Sequence, residues 1–159
     1  MNVITQARDG ASPEINEIAL STSAQCIASR VRQLSRIITR VYDDALRPLG
    51  ITASQFTLLT KLAQQDSITA VEIGYSLDIE KSTLSRNLKR LLALGHITMD
   101  PPAGRRGRGL HLTPKGKGVI KSAYPVWLEA QTRVVAVLGP SSRNTLDELL
   151  VQAESLVAT

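Results

Sequence analysis

The sequence is poor in cysteine, in aromatic residues and in long apolar runs, and each shortage excludes a class of protein. One cysteine, Cys26, stands among 159 residues, which excludes an internal disulfide framework and predicts a reducing, cytoplasmic environment. Aromatic residues make up 3% of the chain, which argues against binding of single-stranded nucleic acid by base stacking. No apolar run has the length of a bilayer span, and the polar first residues do not resemble a signal peptide, so we expect no membrane partner.

Catalytic and metal-binding sets are also missing. The two histidines, His96 and His111, have no partners that form a catalytic set at a recognisable spacing, so we expect them to be ordinary residues in or beside strands. A zinc site would need more ligands than two histidines and one distant cysteine supply. The sequence therefore predicts neither an enzyme nor a bound cofactor or metal.

Positive charge is abundant but is concentrated in one segment. Residues 80–121 contain ten Lys and Arg against two acids, whereas the rest of the chain contains nine against twelve. The net charge of the whole chain is +5. A local excess of this kind is typical of a surface that binds a polyanion, and it predicts a nucleic-acid partner.

Residues 82–94, inside this segment, have the pattern of an amphipathic helix that Gly95 ends. One face is aliphatic, with Leu84, Leu88, Leu91 and Leu92. The opposite face and its borders carry only cations and small hydroxyls, namely Ser82, Thr83, Ser85, Arg86, Lys89 and Arg90, with Lys81 just before them. In the major groove of DNA, Arg and Lys read guanine edges, and hydroxyls bind phosphates or bases. We therefore predict that this helix contacts double-stranded DNA.

A predicted hairpin follows the helix. Residues 96–99 and 110–112 form its two short strands, and the Pro- and Gly-rich loop between them carries Arg105, Arg106 and Arg108. A thin loop that bears arginine fits the minor groove beside the helix. The alternative is a solvated helix face followed by a disordered basic loop, but the concentration of positive charge in this segment favours DNA binding.

The N-terminal part predicts one long helix after a short arm. Residues 1–20 have no strong pattern: Ile15, Ile18 and Ala19 could form a short amphipathic turn that packs on a partner, and a loose arm is the other interpretation. From Ile27 to Ala45, apolar residues recur at alternating gaps of four and three, which indicates a helix over about 21–47. Its apolar stripe needs another helix to cover it, either from the same chain or from a second copy.

The other helices surround the basic helix and the hairpin. Capping boxes at residues 52–55 and 69–72 open two shorter helices, and the second of these with the basic helix forms a helix-turn-helix. After the hairpin, Thr113 and Pro114 open a long helix, and a final helix covers about 142–157. We therefore expect a mainly α fold in which a small β-hairpin wing completes a winged helix-turn-helix.

This order of elements resembles the MarR family of bacterial transcription regulators, from about Ser21 to the end of the chain. The resemblance rests on YDDALRPLGITASQFTLL, STLSRNLKRLLALGHI and LHLTPKGK, which begin at residues 42, 82 and 110. YPVWLEAQ, from residue 124, looks like a subgroup whose fifth helix carries a Pro-x-Trp pair. Beyond the N-terminal arm at 1–20, the resemblance implies a helical dimerisation region formed by 21–50 and 114–159 and a DNA-binding domain at 51–113.

The resemblance also implies how such a protein works. It implies an obligate homodimer on a pseudo-palindromic operator, which acts as a repressor until a small-molecule effector of unknown identity releases it. It assigns base and phosphate contacts to Ser82, Thr83, Ser85, Arg86 and Lys89, and a minor-groove contact to a wing arginine. Many members have an Asp just before the wing arginine pair. Here Gly104 stands at that position, which leaves open which arginine enters the groove.

Two alternatives to an effector-controlled repressor stay open. Some members sense oxidants through a cysteine near the start of the first helix, where Cys26 lies in this chain. A small apolar filler at an interface is the other interpretation of Cys26. The second alternative is a non-specific architectural DNA-binding protein, which would lack a large affinity advantage for one operator at physiological salt.

Overall fold

The computed structural model of the chain describes residues 12–101 and 107–157, and it is mainly helical with one small antiparallel sheet, as the sequence predicts. The described chain contains the helices α1 (Pro13–Gln25), α2 (Ile27–Leu46), α3 (Ala53–Leu62), α4 (Ala70–Leu77), α5 (Lys81–Ala93), α6 (Pro114–Leu138) and α7 (Ser142–Glu154). Its strands are β1 (Ile68–Thr69), β2 (Ile97–Met99) and β3 (Gly109–Leu112). The chain divides into two compact units, a first unit that ends at Ile37 and a second unit that begins at Ile38.

Two helices, α1 and α2, form where the sequence predicts an arm at 1–20 and a single helix over about 21–47. Ser12 caps α1 by accepting a hydrogen bond from the N–H of Ile15, and Pro13 takes the first helical position, where its missing N–H is harmless. Cys26 then leaves the helical conformation, with φ −70° and ψ 104°, before α2 begins at Ile27. The heptad stripe that predicts α2 does not continue into α1, so the periodicity did not predict α1 as a separate helix.

The core lies in the second unit and is aliphatic. It is built from α3, α4, α5, the sheet and α6, together with the end of α2. The largest side chains that are fully buried are Leu46, Leu58, Leu59, Leu62, Ile73, Leu91, Ile97 and Leu110. Within the residues that the structure describes, no helix combines the length and the apolar composition needed to cross a membrane.

The helix starts predicted from capping residues are confirmed. At Thr52 and at Thr69 the threonine side chain accepts from the backbone three residues on, and the residue there, Gln55 or Glu72, binds the threonine N–H in return. Thr113 caps α6 by accepting from the N–H of Gly116 at 3.0 Å. After α5 the chain reverses at Gly95, whose φ of +69° favours glycine.

The sheet has one more strand than the predicted hairpin. Its order is β1-β3-β2, and both pairs are antiparallel. The hairpin register pairs Ile97 with Leu112 and Met99 with Leu110, while β1 pairs Ile68 with Leu110. A strand of two residues is too short to show the alternation of apolar and polar residues, so the sequence did not predict β1. The extra strand ties the hairpin to the chain segment just before α4.

Candidate nucleic-acid interface

The turn between α4 and α5 brings the two helices of the helix-turn-helix close together. Asp78 ends α4 in the left-handed conformation, with φ 47°, and its N–H donates to the carbonyl of Gly74. A side chain at Gly74 would begin 3.3 Å from a methyl of Leu84, so glycine permits the close approach of α4 and α5 here. This packing fixes where α5 leaves the turn.

The two faces of α5 have opposite environments. Leu84, Leu88 and Leu91 are buried, at 5%, 5% and 0% exposure, and they pack the helix onto the core. The outward residues that the sequence singles out are exposed except for half-buried Thr83; they are Lys81, Ser82, Ser85, Arg86, Lys89 and Arg90. The structure therefore places on one helix the seven predicted contact residues that do not belong to the wing. The aliphatic face holds the basic face towards solvent.

Glu80 caps α5, a role that the sequence analysis did not assign. One carboxylate oxygen of Glu80 accepts from the N–H groups of Ser82 and Thr83, at 2.9 and 3.1 Å, and also from the Ser82 hydroxyl. These hydrogen bonds, first that from the Ser82 hydroxyl, lower the pKa of Glu80 below its usual value. The hydroxyl of Ser82 therefore donates to the cap in this conformation.

Arg86 lies back along its own helix. Its Nε donates to the carbonyl of Ser82 at 3.4 Å, and one terminal nitrogen donates to the Thr83 hydroxyl at 3.3 Å. Both hydrogen bonds are long and solvent-exposed, so they hold the guanidinium only weakly. Arg86 can exchange them for contacts with a ligand at small cost.

The inner side of α5 also carries a polar contact to α3. Asn87 donates to the carbonyl of Thr83 at 3.2 Å and lies 3.5 Å from the side-chain nitrogen of Gln55. Gln55 is 7% exposed and also accepts from the N–H of Thr52 as part of the capping box. The start of α3 and the middle of α5 are thus joined by polar groups as well as by leucines.

The wing is anchored at its base by Asp100. The Asp100 N–H donates to the carbonyl of Gly109 at 2.9 Å, and the Nε of Arg108 donates to the carbonyl of Asp100. Arg108 is exposed and lies beside the hairpin, as predicted. Arg105 and Arg106, predicted for the minor groove, and Gly104 before them lie outside the described residues.

His111, on β3, contacts two residues beside the other strands: Asp66, which precedes β1, and Asp100, which follows β2. Its Nδ1 lies 2.8 Å from the carbonyl oxygen of Asp66, and its Nε2 lies 2.9 Å from a carboxylate oxygen of Asp100. Both neighbours are acceptors, so the doubly protonated ring satisfies both. The hydrogen bonds, that to Asp66 first and that to Asp100 second, raise the pKa of His111. The sequence analysis treated His111 as an ordinary strand residue, but it is the side chain that ties the wing to Asp66.

His96 has the opposite character. It is 5% exposed, directly before β2, and no hydrogen-bond partner for its Nδ1 occurs within the described part of the chain. Burial, and then the nearby charge of Lys115, lower the pKa of His96. Across residues 12–101 and 107–157, no cluster of three or more His, Cys, Asp or Glu side chains is placed to hold a metal ion.

Cys26 lies in the first unit, at the junction of α1 and α2. Its side chain is half-buried, and its N–H donates to the carbonyl of Thr22 at 3.0 Å. The cysteine thus ends one helix and precedes another, whereas the sequence predicts that it lies near the start of a single long helix.

A family model and curated relatives each match part of the chain. Residues 49–107 match the model described as MarR family. The "Multiple antibiotic resistance protein MarR" of Salmonella typhimurium is 36% identical over 86 residues, which cover 54% of this chain and 60% of that protein. The chain thus spans about 60% of the length of the first curated relatives that it matches.

Solved structures match most of the chain. The Mycobacterium tuberculosis transcriptional regulator MosR in complex with DNA is 30% identical, with a TM-score of 0.73, and the match covers 83% of this chain and 98% of that one. A cysteine-to-serine variant of MarR from Escherichia coli complexed with operator DNA is 25% identical, with a TM-score of 0.72, covering 83% of this chain and 96% of that one. The likeness extends beyond the segment matched by the family model and includes helices on both sides of it.

Proposed function

Because the chain belongs to the MarR family of transcription regulators, whose members bind DNA and are not enzymes, we propose that it is a sequence-specific regulator of double-stranded DNA. The observation that carries this proposal is the arrangement of α5: an exposed face of cations and hydroxyls, fixed by three buried leucines, beside a wing sheet. This arrangement is the one that a winged helix-turn-helix uses to reach the major groove.

Each part of the surface has a role in this proposal. Arg86, Lys89 and Arg90 supply base and phosphate contacts from α5, because guanine edges and phosphate oxygens are the acceptors that cations seek. The first turn of α5 contacts the sugar-phosphate backbone of the DNA and the nearest bases through Lys81, Ser82, Thr83 and Ser85. Contact with a phosphate requires the Ser82 hydroxyl to leave Glu80, so binding and capping compete at this residue.

The wing supplies the minor-groove contact in this proposal. Arg105 and Arg106 are the candidates for insertion, because the Nε of Arg108 already donates to the wing backbone at Asp100. Arg108 then supports the wing and offers its charge to the nearest phosphates. The loss of either inserted arginine should weaken the dependence of binding on salt.

We further propose that the regulator is a homodimer. The apolar stripe of α2 is exposed, with Ile27 at 78%, Val31 at 60% and Ile37 at 55% exposure. Leu149, Leu150 and Val151 of α7 are exposed as well. Apolar faces of this extent are typical of surfaces that a partner covers, and a two-fold partner would carry two copies of α5 to a pseudo-palindromic operator. Such a regulator works in the cytoplasm, where bacterial DNA lies.

The mode of action that fits these features is repression, with release from the operator by a small-molecule effector. An effector acts only if it binds the DNA-competent and DNA-incompetent forms with different affinities. A non-specific architectural protein with the same fold would need no effector, and it would bind all DNA sequences with similar affinity.

Selection of bound DNA from a random pool tests the proposal. We expect an enriched, two-fold symmetric sequence that the protein binds far more tightly than scrambled DNA at physiological salt, by a factor on the order of a thousand or more. Sedimentation of the free protein and of the complex measures the number of copies. A pool that yields no enriched sequence would identify an architectural protein, and a monomer on a single half-site would overturn the homodimer.

A further inference from the structure

One face of the wing sheet carries a polar cluster around His111. Leu110 is fully buried, and successive side chains of a strand alternate between the two faces of a sheet, so His111 lies on the face opposite to Leu110. The register pairs His111 with Thr98 on β2, and Asp100 lies two residues beyond Thr98, as a diagonal neighbour across the strands. The ring therefore stands between Asp100 and the loop of residues 63–67, which contains Asp66.

The contacts of His111 join segments that are distant in sequence. Its Nδ1 lies 2.8 Å from the carbonyl oxygen of Asp66, and its Nε2 lies 2.9 Å from a carboxylate oxygen of Asp100. Asp100 is fixed in turn to the other arm of the hairpin, because its N–H donates to the carbonyl of Gly109 and its carbonyl accepts from Arg108. Since β1 pairs with β3 over two residues, the contact with Asp66 extends a short ladder by one further link.

Gly109 allows the cluster to lie close to the backbone of β3. A side chain at this position would overlap the second carboxylate oxygen of Asp100 and the hydroxyl oxygen of Ser67, and it would begin 3.3 Å from Nε2 of His111. The absence of a side chain thus gives the carboxylate the space from which it contacts the imidazole.

The two oxygen neighbours of His111 favour a doubly protonated ring. In a neutral imidazole one nitrogen donates and the other accepts. Both neighbours of His111 are acceptors in these contacts, so a neutral ring keeps one hydrogen bond and loses the other. The charged ring keeps both, and its hydrogen bond to the Asp100 carboxylate is strengthened by the opposite charges.

From these contacts we propose that His111 is a positioning residue for the wing: its charged form holds the hairpin against the 63–67 loop in the orientation that binds DNA. The proposal rests on the regulatory function proposed above, because the wing needs a fixed orientation only if it contacts the operator. Protonation of His111 and binding of DNA then favour each other, as two linked binding events must. Affinity for the operator should therefore fall as the pH rises and the ring loses its charge.

The groups around the ring set the direction of this pH dependence. Within the described part of the chain, the charged residues of the elements packed around His111 are Asp66, Asp100, Arg108, Lys117 and Lys121. The two acids contact the ring, whereas the two lysines only line the same surface depression. The hydrogen bonds, that to Asp66 first and that to Asp100 second, raise the pKa of His111. The contribution to DNA binding is thus fully present below the ordinary histidine value of about 6.5 and is lost through the raised value.

Affinity of the full chain for its selected operator, measured between about pH 6 and about pH 8.5, tests the proposal. The affinity of the wild type should fall across this range by about threefold to tenfold more than that of His111→Gln, which cannot take up a proton. Asp100→Asn should lose most of this extra decline, because the charge that pairs with the ring is removed. His96 titrates in every variant, so its effect cancels from the comparison.

Asp66→Asn is the matched control. It removes the same charge from the neighbourhood of the ring as Asp100→Asn does, but Asp66 contacts the ring through its backbone carbonyl, which asparagine keeps. This variant should therefore retain most of the extra decline. Circular dichroism of each variant verifies that the exposed substitutions leave the fold intact.

The salt dependence of binding shows whether the wing is the part that responds. A wing held in place adds phosphate contacts, each of which steepens the salt dependence by a slope of about one. The wild type should have a steeper slope at acidic than at alkaline pH, and His111→Gln should have the shallower slope at both.

Three outcomes would overturn the proposal. The first is a pH dependence of His111→Gln equal to that of the wild type. The second is an equal loss in Asp66→Asn and Asp100→Asn, which would assign the effect to the total negative charge near the ring. The third is an undiminished pH dependence in Asp100→Asn, which would mean that the charge of His111 attracts DNA directly and positions nothing.

Hydrogen exchange of the free protein separates failure of this proposal from failure of the proposed function. Amides of β3 should exchange more slowly in the wild type than in His111→Gln at about pH 6, and the difference should vanish at about pH 8.5. If an operator is selected and its binding lacks the predicted pH dependence, the role of His111 fails and the regulator stands. If no operator is selected, the regulatory function fails and the role in DNA binding fails with it, while exchange still shows whether charged His111 holds the hairpin.

Discussion

Two histidines beside the wing respond to pH in opposite directions because their surroundings differ. His111 lies between two acceptors, the carbonyl of Asp66 and the carboxylate of Asp100, which favour its charged form. His96 is buried near the charge of Lys115, and this environment favours its neutral form. Acidification therefore strengthens one contact of the wing base and weakens the packing beneath it.

Removal of His111 should change the pH dependence of stability. The pKa of His111 is raised in the folded state, so its contribution to stability is fully present below the ordinary histidine value of about 6.5 and is lost as the pH rises through the folded-state pKa. We expect the difference in unfolding free energy between wild type and His111→Gln to be largest at acidic pH and to shrink above neutrality. Urea denaturation across this pH range measures the difference.

The contribution of His96 cancels from that comparison, because both proteins contain it. For His96 the sign is reversed: the lowered pKa gives a contribution that is present above the ordinary value and is lost as the pH falls. A stability difference between wild type and His111→Gln that grows with rising pH would show that the charged form of His111 does not hold the wing.

Elements meet most closely where α6 begins. A side chain at Gly116 would start 2.1 Å from the carbonyl oxygen of His96 and 2.8 Å from a methyl of Leu112, so only glycine allows the first turn of α6 to lie against the wing. Two residues on, a side chain at Gly118 would begin with no atom within 4 Å from any described residue beyond its own stretch of helix. The same helix thus contains one glycine that packing requires and one that it does not.

This pair gives a matched test of the contact between α6 and the wing. Gly116→Ala should lower the unfolding free energy by about 1–3 kcal/mol, because the backbone at His96 must move to admit the methyl group. Gly118→Ala should raise it by about 0.5–1 kcal/mol, since alanine favours the helix. Chemical denaturation of both variants measures the two values. Equal effects would contradict a close approach of α6 and His96.

The exposed face of α5 gives a prediction about DNA binding. Arg86→Ala should reduce affinity for the selected operator by about 1–3 kcal/mol and relax the preference at one base pair in each half-site. Lys89→Ala should weaken all sequences more evenly if Lys89 holds a phosphate. Because the hydrogen bonds of Arg86 to Ser82 and Thr83 are exposed and long, the substitution should leave the helix intact.

Binding measured on a panel of operators with single base changes distinguishes the two residues. If Arg86 reads a base, Arg86→Ala should remove the base preference at one operator position and leave the preference at the other positions unchanged. An unchanged preference at every position would assign Arg86 to the backbone instead.

The elements that the sequence predicted well are those whose signal is local. Capping pairs fixed the starts of α3, α4 and α6, and the leucine spacing of α5 predicted which side would be buried. Contacts between distant residues carried no such signal. The bond of His111 to Asp66 spans 45 residues, and β1 is two residues long, so neither leaves a pattern in the sequence.

The proposed regulator has two candidate signals for the control of DNA binding, a small-molecule effector and an oxidant. An oxidant would act through Cys26, in the first unit, at the junction of α1 and α2. The two mechanisms depend on different residues, so one substitution separates them.

Cys26→Ser removes the thiol while nearly keeping its volume, and we expect the variant to bind the operator as wild type does. Release by an effector should survive the substitution, and a modest loss of stability is expected because the half-buried site receives a hydroxyl. Operator binding with and without peroxide measures the response. In an oxidant-sensing regulator, peroxide would release the wild-type protein, a reductant would restore binding, and Cys26→Ser would remain on the operator under both conditions. That pattern would assign the control of DNA binding to the junction between the first two helices.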